Sequence, residues 1–465
     1  MRPALLQQLK QIVGPEDVLT SDRDLMAYEY DATVEKFLPE AVVFASSTQE
    51  VAAVLRLTYQ NKVPVVPRGA GTNLSGGTLP VKGGIVLELS RMTRVLTIDT
   101  ANQRAVVEPG VINLDLQNLL APLGFTYAPD PASQKVSTMG GNVGEDSGGP
   151  HCLKYGVTSN HIVGLEVVLP NGEVIHTGGA VEDSPGYDLT GLLVGSEGTL
   201  GVVTKITVRI IRLPETIKTL LGVYDRLEDV GQTVSDIIAA GIIPATLELL
   251  DRPVINAVED SVQAGYPRDA AAVLLIEVDG VGDGLERQAD LIVELCQKNK
   301  VREVRVAKSA AERDALWAGR RGAFGAVARV RPSYLVQDGT VPRTELAAIL
   351  RKVLEISAAH NVTVGNVAHA GDGNLHPLFM YDPKDKDEAR RVHEAGAEIL
   401  KACVDVQGTL SGEHGIGLEK QKMMPWRFGP TEMDVMAKVK QVWDPADLLN
   451  PGKILPPEYQ TAKAG

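Results

Sequence analysis

The sequence predicts an α+β protein of two domains, on three observations: its length, a run of short β-branched strands with glycine-rich turns, and a later change to longer helical patterns. At 465 residues it is about two to three times an ordinary domain, so at least two hydrophobic cores are expected. From Ala41 to Val208 the strands are AVVFAS, VPVVPRG, GIVLELS, RAVVEPG, HIVGLEVVLPNGEVIHTGG and GTLGVVTKITVRII. Between them, TQEVAAVLRLTYQNK and NLDLQNLLAPLG shift from a period of two to the helical period. After Pro214 come the helical stretches LEDVGQTVSDIIAAG, GDGLERQADLIVELCQKN and TELAAILRKVLEISAAHN, separated by the strands ATLELLD, AAVLLIEVDG and PSYLVQDGTVP. Sheets with helices packed on them are expected there.

Composition narrows the class. Apolar residues make up 44% and charged residues 23%, with 46 Gly and 27 Pro, the balance of a turn-rich globular protein. A net charge of -13 and the lack of any Lys/Arg run argue against nucleic acid and against an anionic lipid surface. An anionic ligand would therefore need positive charge concentrated inside its pocket. Cys152, Cys296 and Cys403 are far apart without a C-x-x-C pair, which excludes a disulfide framework or a four-thiolate cluster and fits a reducing compartment. No apolar run suits a membrane span. The opening MRPALLQQLKQIVGPEDV spaces Leu5, Leu6, Leu9, Ile12 and Val13 as an amphipathic helix rather than a signal peptide, so a cytoplasmic location is expected, with a partner as the route to any membrane surface.

Three glycine-rich loops stand in the first domain. Pro67 to Gly77 packs four Gly within nine positions directly after a strand, and glycine lets several backbone N–H groups turn toward one anion such as a pyrophosphate. It has neither the Gly-Lys-Ser/Thr ending of a P-loop nor the Rossmann G-x-G-x-x-G. Taken alone, a ligand-free glycine hairpin is an equal reading. Ser137 to Gly149, entered through Pro129 to Ser133, and Gly195 to Val203 are two more such loops, and three in one domain are hard to explain as turns.

A second constellation lies downstream. In Val364 to Pro377, two apolar strands flank Gly371-Asp372-Gly373, so His369 and His376 can face each other across a hairpin. Ser411 to Gly417 places Glu413 and His414 between glycines, in a chain with only 8 His. Two imidazoles and a carboxylate make a common open-sided site for a divalent metal, Zn, Mn or Fe, and would leave His414 as a base. The plainer readings are a hairpin with one satisfied His and a solvated Glu-His pair.

The motifs P-R-G-A-G-T-N-L-S-G-G, D-P-A-S-x-x-x-S-T-M-G-G-N, Y-G-x-T, G-S-E-G-T-L-G-V-V-T, H-x-G-D-G-N-x-H-P and G-E-H-G-x-G resemble the glycolate oxidase and D-lactate dehydrogenase branch of the vanillyl-alcohol oxidase superfamily, over residues 20 to 455. The resemblance implies a two-part FAD-binding domain at 1–214, an α/β substrate (cap) domain carrying the metal site at 215–425, and a C-terminal segment, 426–465, that returns to the FAD domain. It implies that Arg68, Gly69, Ala70, Gly71, Thr72, Asn73, Ser75 and Gly76 wrap the FAD pyrophosphate. Pro131, Ser133, Thr138, Met139, Gly140, Gly141, Asn142 and Ser147 would line the ribityl chain and ring, Glu197, Gly201 and Val202 the adenosine end, and Asn450 and Lys453 the returning segment. Asn73 stands where some members carry a flavin-linked His, so the FAD is expected to be non-covalent.

By the same resemblance, His369, His376 and Glu413 bind the metal, His414 takes the substrate hydroxyl proton, Asn374 hydrogen-bonds the substrate, and Arg320 clasps its carboxylate, with Arg343 a weaker candidate for that role. The chemistry is consistent: hydride loss from C2 to flavin N5 requires removal of a hydroxyl proton, which metal chelation makes easier and a near-neutral imidazole can accept. Phe324 and Val336 occupy positions where hydroxyglutarate-oxidising relatives carry Thr and Lys, which favours a short D-2-hydroxy acid such as D-lactate or glycolate. Electrons would leave to a partner: an electron-transfer flavoprotein, an iron–sulfur subunit, a cytochrome or a quinone. The rival readings are a D-2-hydroxyglutarate-type dehydrogenase, an FAD-using ether-lipid synthase and a non-catalytic electron-transfer subunit.

Overall fold

The computed structural model describes residues 1–181 and 185–460; the end of the expected C-terminal segment, 461–465, lies outside the described residues. The chain forms two compact units: Met1–Gly148, Gly156–Leu213 and the stretch from Glu413 make the first, and Gly149–Tyr155 with Pro214–Gly412 make the second.

In the first unit, Ala41–Phe44, Ile85–Glu88 and Val65–Arg68 pair in parallel, with Val18–Leu19 antiparallel at one edge. Helices Pro3–Val13 and Thr48–Asn61 bury Leu5, Leu9, Val51, Val54 and Leu55 against Ala41, Val43, Ile85 and Leu87. Ser47 caps the second of these helices, its hydroxyl accepting the N–H of Glu50 at 3.2 Å. A second sheet is antiparallel, in the order Val95–Asp99, Arg104–Val107, Val202–Arg209, Ile162–Val168, Val174–Gly178. Val202–Arg209 alternates buried and half-buried residues along its length, the period-two pattern of a strand with one face on a core. That core also takes Leu116, Leu120, Met139 and Val143 from helices Asn113–Leu120 and Met139–Glu145. The C-terminal stretch joins the first sheet: Asn450 N–H donates to Val65 O at 2.7 Å.

The domain boundary expected at 425 falls inside the first unit, for a local reason. Ser75 O accepts the N–H groups of Leu418 and Glu419, and Glu197 Oε1 accepts those of Ile416 and Gly417, so this segment is bonded to the glycine-rich loops.

The second unit is one antiparallel sheet, ordered Glu303–Val306, Thr216–Tyr224, Ala272–Gly280, Thr246–Asp251, Thr363–His369, Asn374–Tyr381, Ser333–Val336, with Gly339–Thr340 also on Asn374–Tyr381. Helices cover both faces. Leu227–Ala239, Gly282–Lys298, Leu346–Ala359 and Lys386–Asp405 close one around Leu247, Leu249, Leu274 and Phe379. Arg252–Ser261 and Ala310–Val327 close the other around Leu221, Leu250, Leu275 and Val367. Two-sided cover makes the central strands almost wholly apolar, so each charged side chain among them is conspicuous. No helix among the described residues is long and apolar enough to cross a membrane.

Candidate functional site

The first unit holds an open cleft lined by Arg68, Gly69, Thr138, Gly140, Gly141, Glu197, Gly201 and Val202 from the sequence-derived set. Gly77, Thr78, Pro109, Gly144, Glu145, Ser196 and Gly198 line it too; Gly77, Gly144, Glu145, Ser196 and Gly198 lie in the glycine-rich loops but were not assigned a cofactor contact. The glycines are required sterically: a Cβ on Gly69 would collide with the Thr138 hydroxyl, and one on Gly140 would stand 2.6 Å from Pro109 Cβ. Such a backbone-walled cleft with a cation at its rim suits a pyrophosphate, so the donor set fits FAD.

Arg68 is that cation. Its guanidinium lies 5.7 Å from the Tyr28 ring centroid and donates to Thr78 Oγ1 at 3.4 Å. Burial pushes the Glu88 carboxyl, on the strand paired with Arg68, up to about 7, with Ser90 and Arg68 opposing. A carboxyl raised this way favours the folded state only while protonated. From its ordinary value near 4.5 the unfolded chain ionises first, so stability falls by about 3 kcal/mol as pH rises to about 7 and then levels off. Glu88→Gln is expected to raise the melting temperature at alkaline pH and to remove that slope, which calorimetry on both sides of neutrality would check.

Other members of the set serve the frame. Met139 is in the core, and Asn142 Nδ2 donates to Asn113 Oδ1 at 3.0 Å, so neither side chain lines this cleft. Pro131 and Ser133 form a turn through their carbonyls, and Ser147 O accepts from Thr158. Asn73 Oδ1 accepts the N–H groups of Ser75 at 2.9 Å and Gly77 at 2.7 Å, which shapes the loop from within. Ala70, Gly71, Thr72 and Gly76 complete that loop without lining the cleft. Asn450 Nδ2 ties two loops together through Gly77 O and Glu197 O, at 2.8 and 2.7 Å. His414 and Glu413 belong to this unit, with His414 Nε2 3.9 Å from Glu413 Oε1.

The second unit concentrates the remaining residues on one face of its sheet. The hairpin register pairs His369 with Asn374 and His376 with Val367, which puts all three polar side chains on one side. The two imidazoles stand perpendicular with centroids 5.1 Å apart. Glu248 is directly opposite His369 on the next strand, and this fully buried carboxylate bridges two groups: it accepts from Arg320 Nε at 2.5 Å and meets His369 Nδ1 at 2.7 Å. A carboxylate at Nδ1 favours the proton on that ring nitrogen and fixes the orientation of the imidazole. Among the described residues the only side-chain hydrogen bond of Arg320 is the one from Nε.

Asp338 orders the other side. It accepts from Asn374 Nδ2 at 2.8 Å, Ser411 Oγ at 2.5 Å and the Gly412 N–H at 3.0 Å, and lies 3.9 Å from His376 Nδ1. Asn374 Oδ1 is buried with no hydrogen-bond partner among the described residues. Phe324, one turn along the helix from Arg320, stands 6.3 Å from the His376 ring and 6.5 Å from that of Tyr334. Arg343 donates to Gly371 O at the tip of the hairpin.

Glu248, Asp338 and Glu145 were missed as site residues in the sequence. The signal for Glu248 was present in ATLELLD, where one carboxylate interrupts an apolar strand; Asp338 in VQDGT looks like an ordinary turn residue.

Residues 39–178 match the FAD binding domain, and residues 213–454 match FAD linked oxidases, C-terminal domain. The glycolate oxidase subunit GlcD of Bacillus subtilis (strain 168) is 45% identical over 450 residues, covering 96% of each chain. Its counterpart in Escherichia coli (strain K12) is 42% identical over 465 residues, 100% of this chain and 93% of its own. D-lactate dehydrogenase of Anaerostipes hadrus is 33% identical over 467 residues, covering 97% of both. Among solved structures, p-cresol methylhydroxylase superposes with a TM-score of 0.81 at 17% identity, covering 97% of this chain and 96% of that one. Alkyldihydroxyacetonephosphate synthase gives 0.77 at 18%, covering 97% and 85%. These last two likenesses establish the fold alone. With sequence identity across the whole length, both domain matches and a cleft suited to the cofactor, the chain belongs to the FAD-linked oxidase family of the vanillyl-alcohol oxidase superfamily and is an FAD-dependent oxidoreductase.

Proposed function

We propose that this enzyme oxidises a short D-2-hydroxy acid, glycolate or D-lactate, to the 2-oxo acid, with non-covalent FAD and one divalent metal. The observation that carries the reading is Glu248, which holds a guanidinium and an imidazole on its two oxygens. The names of the relatives, glycolate oxidase subunit and D-lactate dehydrogenase, point to the same substrate class. FAD supplies the hydride acceptor and a divalent metal supplies a Lewis acid. His369, His376 and Glu413 are the proposed ligands, and two perpendicular buried imidazoles backed by carboxylates suit Zn, Mn or Fe.

Arg320 binds the substrate carboxylate through its terminal amino groups while Glu248 fixes its plane. Asn374 hydrogen-bonds the substrate, and His414 takes the proton of the substrate hydroxyl as the C2 hydride departs. Phe324 beside His376 gives the far end an apolar wall, where a second carboxylate would be unpaired, so a monocarboxylate is favoured. Because the relatives are named as subunits, a partner subunit is the proposed electron outlet, with an electron-transfer flavoprotein, iron–sulfur protein, cytochrome or quinone as acceptor. A cytoplasmic location is part of the same proposal.

Anaerobic mixing with glycolate, D-lactate, L-lactate and D-2-hydroxyglutarate tests this. The first two should bleach the flavin, and chelator-treated enzyme should react far more slowly. Faster bleaching by the L-enantiomer, or none by any of the four, would overturn the reading.

A further inference from the structure

We propose that Glu145 and Glu197 form a proton-sharing carboxyl pair in the wall of the cofactor cleft, and that FAD binds together with a proton held by this pair. The inference rests on the FAD assignment and goes beyond it. Both side chains line the same cleft as Arg68 and Gly69. Glu197 is 6% exposed, and its Oε1 is committed to the N–H groups of Ile416 at 2.7 Å and Gly417 at 3.0 Å. Its Oε2 and Oε2 of Glu145 are buried, without a hydrogen-bond partner among the described residues. Both acids reach Gly415: a Cβ there would strike Glu145 Oε2 and stand 2.9 Å from Glu197 Oε1, which puts those two oxygens within about 5 Å of each other.

Two carboxylates this close in a low-dielectric wall do not both ionise, since each charge raises the cost of the other. Burial raises Glu145 well above its ordinary range, and the charge of Glu197 adds to this. Burial also raises Glu197, against the Gly417 and Ile416 N–H groups, Lys453 and Lys420. The other groups facing the pair are Asp31 and Asn73. Lys453 does not neutralise it by contact, because its ammonium bonds to Leu79 O and, at 3.2 Å, to Asn450 Oδ1; burial lowers it to about 8.

A pyrophosphate entering this cleft brings further negative charge and so raises the proton affinity of the pair. By reciprocity, FAD affinity is full while the pair holds its proton and weakens as pH rises through the apoprotein value. One linked proton limits the change to about tenfold in Kd per pH unit.

The test is the dissociation constant of FAD from the holoenzyme, read from free-flavin fluorescence on dilution across neutral to alkaline pH. The slope of log Kd against pH counts the linked protons directly, without any variant. A positive slope in the wild type that vanishes in Glu145→Gln, with tighter binding than wild type at the alkaline end, is the expected result. A flat wild-type profile overturns the proposal. So does an equal slope in Glu145→Gln, which would assign the linkage to Lys453. Failure to retain FAD at any pH would overturn the cofactor assignment together with the inference.

Discussion

Glu248→Gln is expected to weaken metal retention by about 10- to 100-fold, because the neutral amide no longer holds the His369 proton on Nδ1 with an ionic acceptor. The same change removes the charge partner of Arg320, so the guanidinium loses its fixed plane and KM for the hydroxy acid should rise as well. Both effects come from one atom exchange on a side chain with no access to solvent. Glu248→Ala should be worse for folding: it leaves a buried guanidinium without a counter-charge, at a cost of about 3 to 5 kcal/mol. Metal content after dialysis, KM and the melting temperature separate these consequences. Wild-type metal content together with an unchanged KM in Glu248→Gln would refute the assigned role.

His414→Gln should lower the rate of flavin reduction by about 10² to 10⁴, the usual contribution of a positioned general base. Its side chain is 8% exposed and sits 3.9 Å from Glu413. FAD content and metal content are expected to remain near wild type, which distinguishes loss of the base from loss of the site. Stopped-flow reduction by D-lactate under anaerobic conditions is the measurement. A variant that reduces at the wild-type rate would assign proton removal to another group.

The periodic elements were legible because their cause is local. AVVFAS, VPVVPRG and GIVLELS became Ala41–Phe44, Val65–Arg68 and Ile85–Glu88, and TQEVAAVLRLTYQNK became the helix Thr48–Asn61. The turn Gly371-Asp372-Gly373 closes the expected hairpin, and the strands around it carry His369 and His376 on one face. The carboxylates that organise the site were far less legible. Glu145 stood inside a quoted loop, yet its significance depends on Glu197 and Gly415, which come to it only by folding.

The sequence by itself determined where most strands and helices form, which residues carry imidazole, carboxylate and guanidinium, and that the motifs are those of an FAD-linked oxidase. The loop expected at 137–149, by contrast, folds in part as the helix Met139–Glu145. Hydrophobic period and glycine's backbone freedom are properties of neighbouring residues, so they can be read in order along the chain. Only the tertiary structure decided that Glu248 meets His369 across 121 positions and Arg320 across 72. It also decided that Gly149–Tyr155 packs with the second unit, where Lys154 and Tyr155 both bond to Asp279, and that the segment after Gly412 packs with the first. Strand register and the demand that every buried charge find a partner act between distant segments, and no local pattern encodes which distant segment will supply it.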